Sequence, residues 1–552
     1  QALSDAGIDA PLWCVTSGAV SVDPAEAVRS PVQSGLWGLG RVIGLEFPAS
    51  WGGLVDVPDL VDAECGKRLT EVLASSGAED QLAVRKASVF GRRLVRTAPA
   101  ASRDARSRAN DAGRDAGRDG VVLVTGGTGG IGQRVARWLA DRGASDIVLA
   151  SRSGAAVAGV PELTAELAGR DVLVETRACD VADRAAVASL RDGLTSQDRR
   201  VRAVIHAAGV VDMVPIEHSD LSEWDRVCAA KVLGAIHLDE VFGDELDEFV
   251  VFSSNAGVWG SAGQSAYAAA NAFVDGLVRR RRDRGAHGLS VAWGAWGGVG
   301  MAAGERAVRE LTRIGVRPMA PDLALGVLAR AIDGDETFLA VADVDWTLFA
   351  TAFTAARARP LIGEIPEVAA TLDARPAVEP VTGLTEKLKS LSRTEQEEHL
   401  LRLVTTQAAA VLRYSASDTL DPTKAFRDLG FDSLTAVDLR NDLARITGLP
   451  LPTTVIFDHP NAVALSKLVH QLLVPTTTPD SIHADLNELE DAVAAIAADT
   501  KAVEQIALRL RRIAATLTGE DGDAAGADDR GDLESADADE LLSMIQSEFG
   551  RP

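Results

Sequence analysis

The chain has 552 residues, 46% of them hydrophobic and 25% charged, a soluble-globular balance with room for roughly three or four domains. That composition excludes a fully disordered, collagen-like or disulfide-scaffold protein, and no run of about 18 apolar residues is present to span a bilayer. Acids outnumber bases 80 to 56, and a net charge of −24 is a poor electrostatic match for nucleic acid or anionic lipid.

The first 97 residues hold the apolar segments LWCVTSGAV, SGLWGLGRVIGLE and GGLVDVP but no phosphate-binding turn. Residues 98–120 are rich in Ala, Arg, Asp and Gly without apolar periodicity, and so predict a linker. From 121 to 356 short β-branched runs alternate with helical patterns: Val121–Val124, Ile147–Ala150, Val172–Thr176, Ala203–His206, Phe249–Ser253 and Leu289–Trp293. Continuous apolar runs spaced by helices are expected of strands buried on both faces, hence an α/β fold with a doubly wound parallel sheet. Residues 357–383 carry four prolines and predict a second linker, and 384–474 read as helices only. The four cysteines, Cys14, Cys65, Cys179 and Cys228, lie far apart with no C-x-x-C pair, which fits a reducing cytoplasm and predicts no metal site.

Val121–Gly143 reads strand, glycine turn, helix. Gly126, Gly130 and Gly132 give G-x-x-x-G-x-G, and the run Gly126, Gly127, Thr128, Gly129, Gly130, Ile131, Gly132 lets backbone approach a pyrophosphate at a helix N-terminus. The second strand ends in Ser151 and Arg152 where an NAD enzyme places an acid for the ribose hydroxyls. That pair suits a 2′-phosphate and predicts NADPH. Asp180 and Val181 after the third strand are placed to reach the adenine, although Asp180 serves equally as an Asx-turn residue. The run His206, Ala207, Ala208, Gly209 is expected to line the cofactor's floor.

Only 8 of the 56 bases are lysine, and between Lys86 and Lys387 Lys231 stands alone. A lone lysine in a chain that otherwise uses arginine suggests a role for a compact ammonium. Tyr267 is the only phenol of its region; it follows Ser254 by 13 residues and precedes Asn271 by four, on one helix face.

These motifs, TGGTGGIG, the set Lys231, Ser254, Tyr267 and Asn271, and AWGAWGGVGM at Ala292–Met301, resemble the ketoreductases of modular type I polyketide synthases, a branch of the short-chain dehydrogenase/reductases. Ordinary short-chain dehydrogenases carry Lys four residues after Tyr. Here Asn271 holds that place and Lys231 lies upstream, as in the polyketide branch. The resemblance implies hydride transfer from NADPH to a β-ketoacyl thioester. Tyr267 would donate the proton, Ser254 would bond the carbonyl oxygen, Lys231 would lower the phenol pKa from about 10 toward neutral, and Asn271 would hold a relay water. Residues 1–97 resemble the structural subdomain of the same family, a degenerate Rossmann half expected to be cut at its start and to brace the catalytic half at 121–356.

Family patterns also bear on stereochemistry. Met213 replaces the last Asp of the B-type L-D-D motif, Trp259 lies eight before Tyr267, and Gln264 rather than His lies three before it. The chain therefore looks A1-like, giving an L-configured β-hydroxyl.

FRDLGFDSLTAVDLRNDL (Phe426–Leu443) resembles the attachment site of acyl carrier proteins, which implies 4′-phosphopantetheine on Ser433, added by a separate phosphopantetheinyl transferase. Four helices are expected, near 395–413, 433–446, 453–457 and 460–473, with Leu434, Val437 and Leu443 facing inward. Ser433 or Asp432 would also serve as a helix cap. From Asp480 onward 18 acids face 6 bases, half of the net charge. Apolar residues at near-heptad spacing over 480–518 favour a dimeric helical bundle, 519–538 reads as an acidic tether, and Leu541, Leu542, Ile545 and Phe549 give 539–552 one apolar face. This tail resembles a C-terminal docking domain of a polyketide synthase.

The whole reads as the C-terminal part of a longer cytoplasmic, homodimeric synthase. It would have upstream ketosynthase and acyltransferase domains and the docking coiled coil of the next polypeptide as partner. The alternative is a carrier-and-docking scaffold with a silent ketoreductase, against which the intact tetrad argues.

Overall fold

The computed structural model describes residues 10–97 (without 49 and 76), 120–300, 304–373, 384, 388, 391–412, 420–431, 433–449, 451–452 and 455–474. Compactness divides the chain between His470 and Gln471, and nearly all described residues belong to the first unit. The linker expected at 98–120 lies outside the described residues but for Gly120, as do the bundle, tether and terminal helix expected at 480–552. Among the described residues no helix is long and apolar enough to cross a membrane.

The first sheet holds β1 (Leu12–Ser17), β2 (Trp51–Val57), β3 (Gln81–Val84) and β4 (Val89–Gly91) in that order. β1, β2 and β3 run parallel, and β4 returns antiparallel on β3. Helix α1 (Pro31–Glu46) joins β1 to β2; Ser30 caps it and Pro31 occupies its first turn. Helix α2 (Ala63–Ala74) is capped by Asp62, whose carboxylate accepts the Cys65 N–H at 2.8 Å.

The second sheet has seven parallel strands: β5 (Val121–Thr125), β6 (Asp146–Ser151), β7 (Leu173–Ala178), β8 (Val201–His206), β9 (Glu248–Ser254), β10 (Leu289–Trp293) and, following a short strand β11 (Val316–Arg317), β12 (Phe338–Val341). Their order is β12-β10-β9-β8-β5-β6-β7, so the topological switch lies between β5 and β8. The crossovers are α3 (Gly130–Asp141), α4 (Val160–Ala168), α5 (Arg184–Thr195), α6 (Leu221–Cys228) continuing through a π-helical segment, Ala229–Leu233, into α7 (Gly234–Phe242), then the short α8 (Ala256–Trp259) with α9 (Ser265–Asp283), and α10 (Glu305–Arg313) with α11 (Pro321–Asp333). All six expected strands are present. β12 was not among them.

Two apolar layers flank this sheet, because successive residues of each buried strand point to opposite faces. Val122, Val124, Ile147 and Leu149 face one layer, Val121, Leu123, Val148 and Ala150 the other. Helix α1 lies against α9 through small residues. A Cβ at Gly38 would stand 2.2 Å from the Ala268 carbonyl oxygen, and one at Gly276 2.5 Å from Ser34 Oγ. Glycines in SGLWGLG and alanines in SAYAAANAF thus bring the two sheets' domains into close contact, which supplies the expected bracing.

The linker expected at 357–383 is corrected in its first half. After α12 (Trp346–Phe353), Leu361, Ile362, Ile365 and Val368 are buried in one apolar cluster with Phe349, and α13 (Pro366–Asp373) follows. Arg359 bonds the Gly44 carbonyl at 2.7 Å and lies 3.8 Å from Asp80. The prolines start helical turns here instead of breaking structure. Beyond residue 373 the expected linker is outside the described residues.

The all-helical region holds α14 (Arg393–Val411), α15 (Ser433–Thr447), α16 (Val455–Asp458) and α17 (Ala462–Leu473), near the four expected places. Ser392 and Glu395 form a reciprocal capping box at the start of α14. Val404, Ala408, Phe426, Leu439, Leu443, Val455, Ile456 and Leu465 make a separate core, in which Leu443 is fully buried as expected. The side chains of Leu434 and Val437 lie outside the described residues.

Candidate active site

Strand β9 ends at Ser254 and α9 carries Tyr267 and Asn271 one turn apart, so both strands of the site's chemistry meet at the carboxyl edge of the sheet. Tyr267 is only 8% exposed and Asn271 fully buried. Asn271 Nδ2 donates to the Tyr267 carbonyl at 2.7 Å, while its Oδ1 is buried without a hydrogen-bond partner. Ser254 Oγ accepts the Ala256 N–H at 3.2 Å.

Lys231 enters from the π-helical segment. The wider turn breaks the helical ladder between α6 and α7, a device common at functional sites. The lysine is 5% exposed, and Nζ donates to the Phe252 carbonyl of β9 at 2.8 Å. A Cβ at Gly209 would stand 2.8 Å from its Cε and 3.0 Å from Nζ, so Gly209 leaves the space that the lysine fills.

Burial pushes the Lys231 ammonium down to about 8, opposed by the Asp275 carboxylate. Burial pushes the Tyr267 phenol up, and the Ser254 and Asn271 side chains pull it back. The groups that oppose burial at the phenol are the Ser254 and Asn271 side chains, and the Lys231 ammonium donates to a backbone carbonyl. A pH limb follows. The phenol keeps its proton through neutral pH, whereas Lys231 loses charge first, so kcat/KM is expected to fall as pH rises through about 8, and Lys231→Met should remove that limb together with most of the rate.

Sequence reasoning missed Asp275, two turns after Tyr267 on α9. It accepts from Ser290 Oγ at 2.6 Å, and Arg41 and Arg92 of the first domain act on it. Burial raises its pKa to about 6. Its spacing from Tyr267 was readable, but nothing local marked it as half-buried beside Ser290.

The nucleotide turn fits a pyrophosphate by exclusion of side chains. Gly126 has φ +69°, and a Cβ there would stand 2.8 Å from Ala208 N and 2.9 Å from the Ala207 carbonyl carbon. A Cβ at Gly132 would stand 2.4 Å from the Gly126 oxygen, and one at Gly127 2.7 Å from the Val124 oxygen. Thr128 is buried, Gly129 and Gly130 are exposed at the start of α3, and Ile131 lies under Gly300 at the end of the AWGAWGGVG loop. Ala207 and Ala208 thus pack against the glycine turn. Ser151 Oγ is buried without a partner and Arg152 beside it is exposed, a donor pair that fits a phosphate.

Three of the residues expected at the cofactor have other protein contacts. The His206 ring is fully buried. Its Nε2 faces the Lys231 carbonyl at 3.2 Å, so that nitrogen carries the proton and Nδ1 accepts from Thr125 Oγ1 at 2.7 Å. Burial and the Lys231 charge lower its pKa to about 3, so it stays neutral and steadies the π-helical segment. Val181 is buried against Gly234, with its carbonyl accepting from His237 Nδ1 at 3.0 Å. Asp180 is exposed and accepts the Ala182 N–H at 3.1 Å, the Asx-turn alternative.

Of the three stereocontrol candidates, two meet. Gln264 Nε2 donates to Met213 Sδ at 2.9 Å, with Met213 66% exposed. Trp259 is buried edge-on to Phe349, ring centroids 5.3 Å apart, so its side chain packs away from solvent. Among the described residues no cluster of ligands suits a metal. Ser433 is the first residue of α15; its side chain lies outside the described residues.

A parallel sheet with a glycine turn, and Lys231, Tyr267 and Asn271 buried near Ser254, is an arrangement a nucleotide-dependent reductase would need, and comparison with known proteins gives the class. Residues 120–298 match the KR domain family, 402–469 the phosphopantetheine attachment site, and 1–94 the Rossmann fold domain of the polyketide synthase extender module SpnB. The chain is 43% identical over 563 residues to the pikromycin polyketide synthase component PikAIII of Streptomyces venezuelae, covering 99% of this chain and 35% of that one. It is 46% identical over 473 residues to the erythronolide synthase EryA3 of Saccharopolyspora erythraea, covering 86% and 14%. A solved A-type ketoreductase from a modular polyketide synthase is 48% identical with TM-score 0.63, covering 67% of this chain and 77% of that one; a solved A1-type ketoreductase gives the same values. The chain belongs to the modular type I polyketide synthases, as a ketoreductase followed by an acyl carrier domain. It is an oxidoreductase segment of a multifunctional synthase, with NADPH and covalent 4′-phosphopantetheine as the cofactors of its two domains. It spans about a third or less of these two curated relatives.

Proposed function

We propose that this chain reduces a carrier-bound β-ketoacyl thioester to the L-configured β-hydroxyacyl thioester in the A1 sense, the acyl chain riding on Ser433. The observation that carries the reading is the convergence of Lys231, Ser254, Tyr267 and Asn271 at the edge of β9, beside the glycine turn. NADPH supplies the hydride. Ser254 bonds the substrate oxygen and Tyr267 delivers its phenolic proton to it as that oxygen gains charge. The proton is replaced through a water held at Asn271 Oδ1, an acceptor left without a protein donor, with Lys231 beyond it. The A1 sense is supported by Met213 and Gln264 meeting and by the likeness to A-type ketoreductases.

The same reading makes the protein a cytoplasmic homodimer with ketosynthase and acyltransferase domains upstream. A transferase loads Ser433, and the segment beyond Asp480 docks on the next synthase polypeptide. The support for these partners is the family likeness and the heptad pattern of the sequence.

The test is NADPH and NADH consumption with a diffusible β-ketoacyl thioester, followed by chiral analysis of the alcohol. Turnover with NADPH well ahead of NADH and an L-alcohol is expected. No turnover despite NADPH binding would favour the scaffold alternative. Arg152→Asp is expected to reduce the preference for NADPH over NADH by about tenfold to a hundredfold, since a charge-assisted contact to the 2′-phosphate is replaced by repulsion.

A further inference from the structure

Glu46 is the last residue of α1, in the first domain, yet both of its carboxylate oxygens are spent on the second. Oε2 accepts the Ile216 N–H at 2.8 Å, and Oε1 accepts the Gly263 N–H at 2.7 Å. The two amides belong to loops 170 and 217 residues away in sequence. The first loop carries Met213, the second runs into Gln264. The loops also meet each other: the Val214 N–H donates to the Gly263 carbonyl at 2.7 Å, and Val214 bridges Gln264. Among the described residues Glu46 has no ion-pair partner that would explain its charge otherwise.

The surrounding turn of α1 holds the same stretch. Gly260, at φ +86°, leaves no room for a Cβ, which would stand 2.9 Å from Leu45 Cδ1 and 3.1 Å from the Arg41 carbonyl. Arg41 reaches the Gly257 carbonyl and bonds Gln81 Oε1 at 2.9 Å. One anion gripping two amides makes two charge-assisted hydrogen bonds at one point, stronger and shorter than neutral ones.

We propose that Glu46 is a positioning residue for stereocontrol: it clamps the Met213 loop to the Gln264 loop and so fixes the side from which the ketone presents its face to the hydride. The proposal rests on the ketoreductase reading, in which these loops flank the substrate. The domain that carries no cofactor turn would then do more than brace its neighbour; it would set the outcome of the reaction.

Glu46→Gln is the sharp variant. It keeps the volume of the side chain, but its amide offers one acceptor where two are needed and turns an N–H against the second amide. In the full chain, two readouts are taken. The first is hydrogen exchange over 211–219 and 260–264. The second is the stereoisomer ratio of the alcohol from a diffusible racemic α-methyl-β-ketoacyl thioester. Exchange about tenfold faster in one or both loops, an isomer ratio eroded by about tenfold, and an NADPH affinity within about twofold of the parent are expected. Glu46→Asp, one methylene short, should fall on the same side as Gln.

Unchanged exchange would overturn the clamp. Faster exchange with an unchanged ratio would overturn the link to stereocontrol. A parent chain without turnover would sink the ketoreductase reading and with it the role in stereocontrol, whereas exchange would still decide the clamp.

Discussion

Replacing Tyr267 by phenylalanine is expected to lower kcat for the diffusible β-ketoacyl thioester by about a thousandfold, with NADPH affinity within about twofold of the parent. The substitution removes one oxygen from a side chain that is otherwise packed with Val42, Ala266 and Ala270, so the ring stays where it is and no cavity opens. What is lost is the acid. The phenol is held in its protonated form by burial, and only Ser254 and Asn271 oppose that. Positioned general acids contribute about a hundredfold to ten-thousandfold, and the substrate oxygen would be left with a serine hydrogen bond alone. Initial rates with NADPH, beside a cofactor-binding titration, check this. A loss under tenfold would mean that Tyr267 is not the proton donor.

Ser433→Ala is expected to abolish loading altogether. Incubation with coenzyme A and a phosphopantetheinyl transferase should add one phosphopantetheinyl group to the parent, seen by intact mass, and none to the variant. The fold should tolerate the change: loss of a capping hydroxyl at the start of α15 costs about 1 kcal/mol, and the carrier core is built from other residues, Leu439, Leu443 and Val455 among them. The two domains then separate cleanly. The variant should keep full turnover of a diffusible thioester and lose all turnover that depends on a carrier-bound chain. If the variant still gains the mass, the attachment site lies elsewhere.

Much of this was readable one segment at a time. The strands of the second sheet are short apolar runs because both faces are covered, and that signal needs no knowledge of neighbours. The glycine turn was equally local, since Gly126 and Gly132 are demanded by backbone that comes within a few residues or from the adjoining strand. Lys231 and Tyr267 were found by scarcity, a signal peculiar to a chain with few lysines and two tyrosines.

What was not readable has one cause. His206 and Val181 sit in motifs that approach a nucleotide, and which atom of each faces the groove depends on packing against Thr125, Gly234 and the π-helical segment. Prolines at 360 and 366 look like linker punctuation until Leu361, Ile362 and Val368 are seen to find Phe349. Trp259 reads as a stereochemical mark in sequence, while in the fold its ring is edge-on to Phe349.

By itself, then, the sequence pointed to most of the element types, the nucleotide turn, the four residues proposed as the reducing set and the carrier motif, because each rests on short-range periodicity or on residue identity. Tertiary structure alone decided the electrostatics and the support of the site. It placed Lys231 against the Phe252 carbonyl, set a half-buried Asp275 on Ser290 within reach of the charges of two arginines from the other domain, and aimed Glu46 at two distant amides. The physical reason is that pKa values and loop positions are set by whatever surrounds a group in space, and those surroundings come from residues as much as 217 positions away.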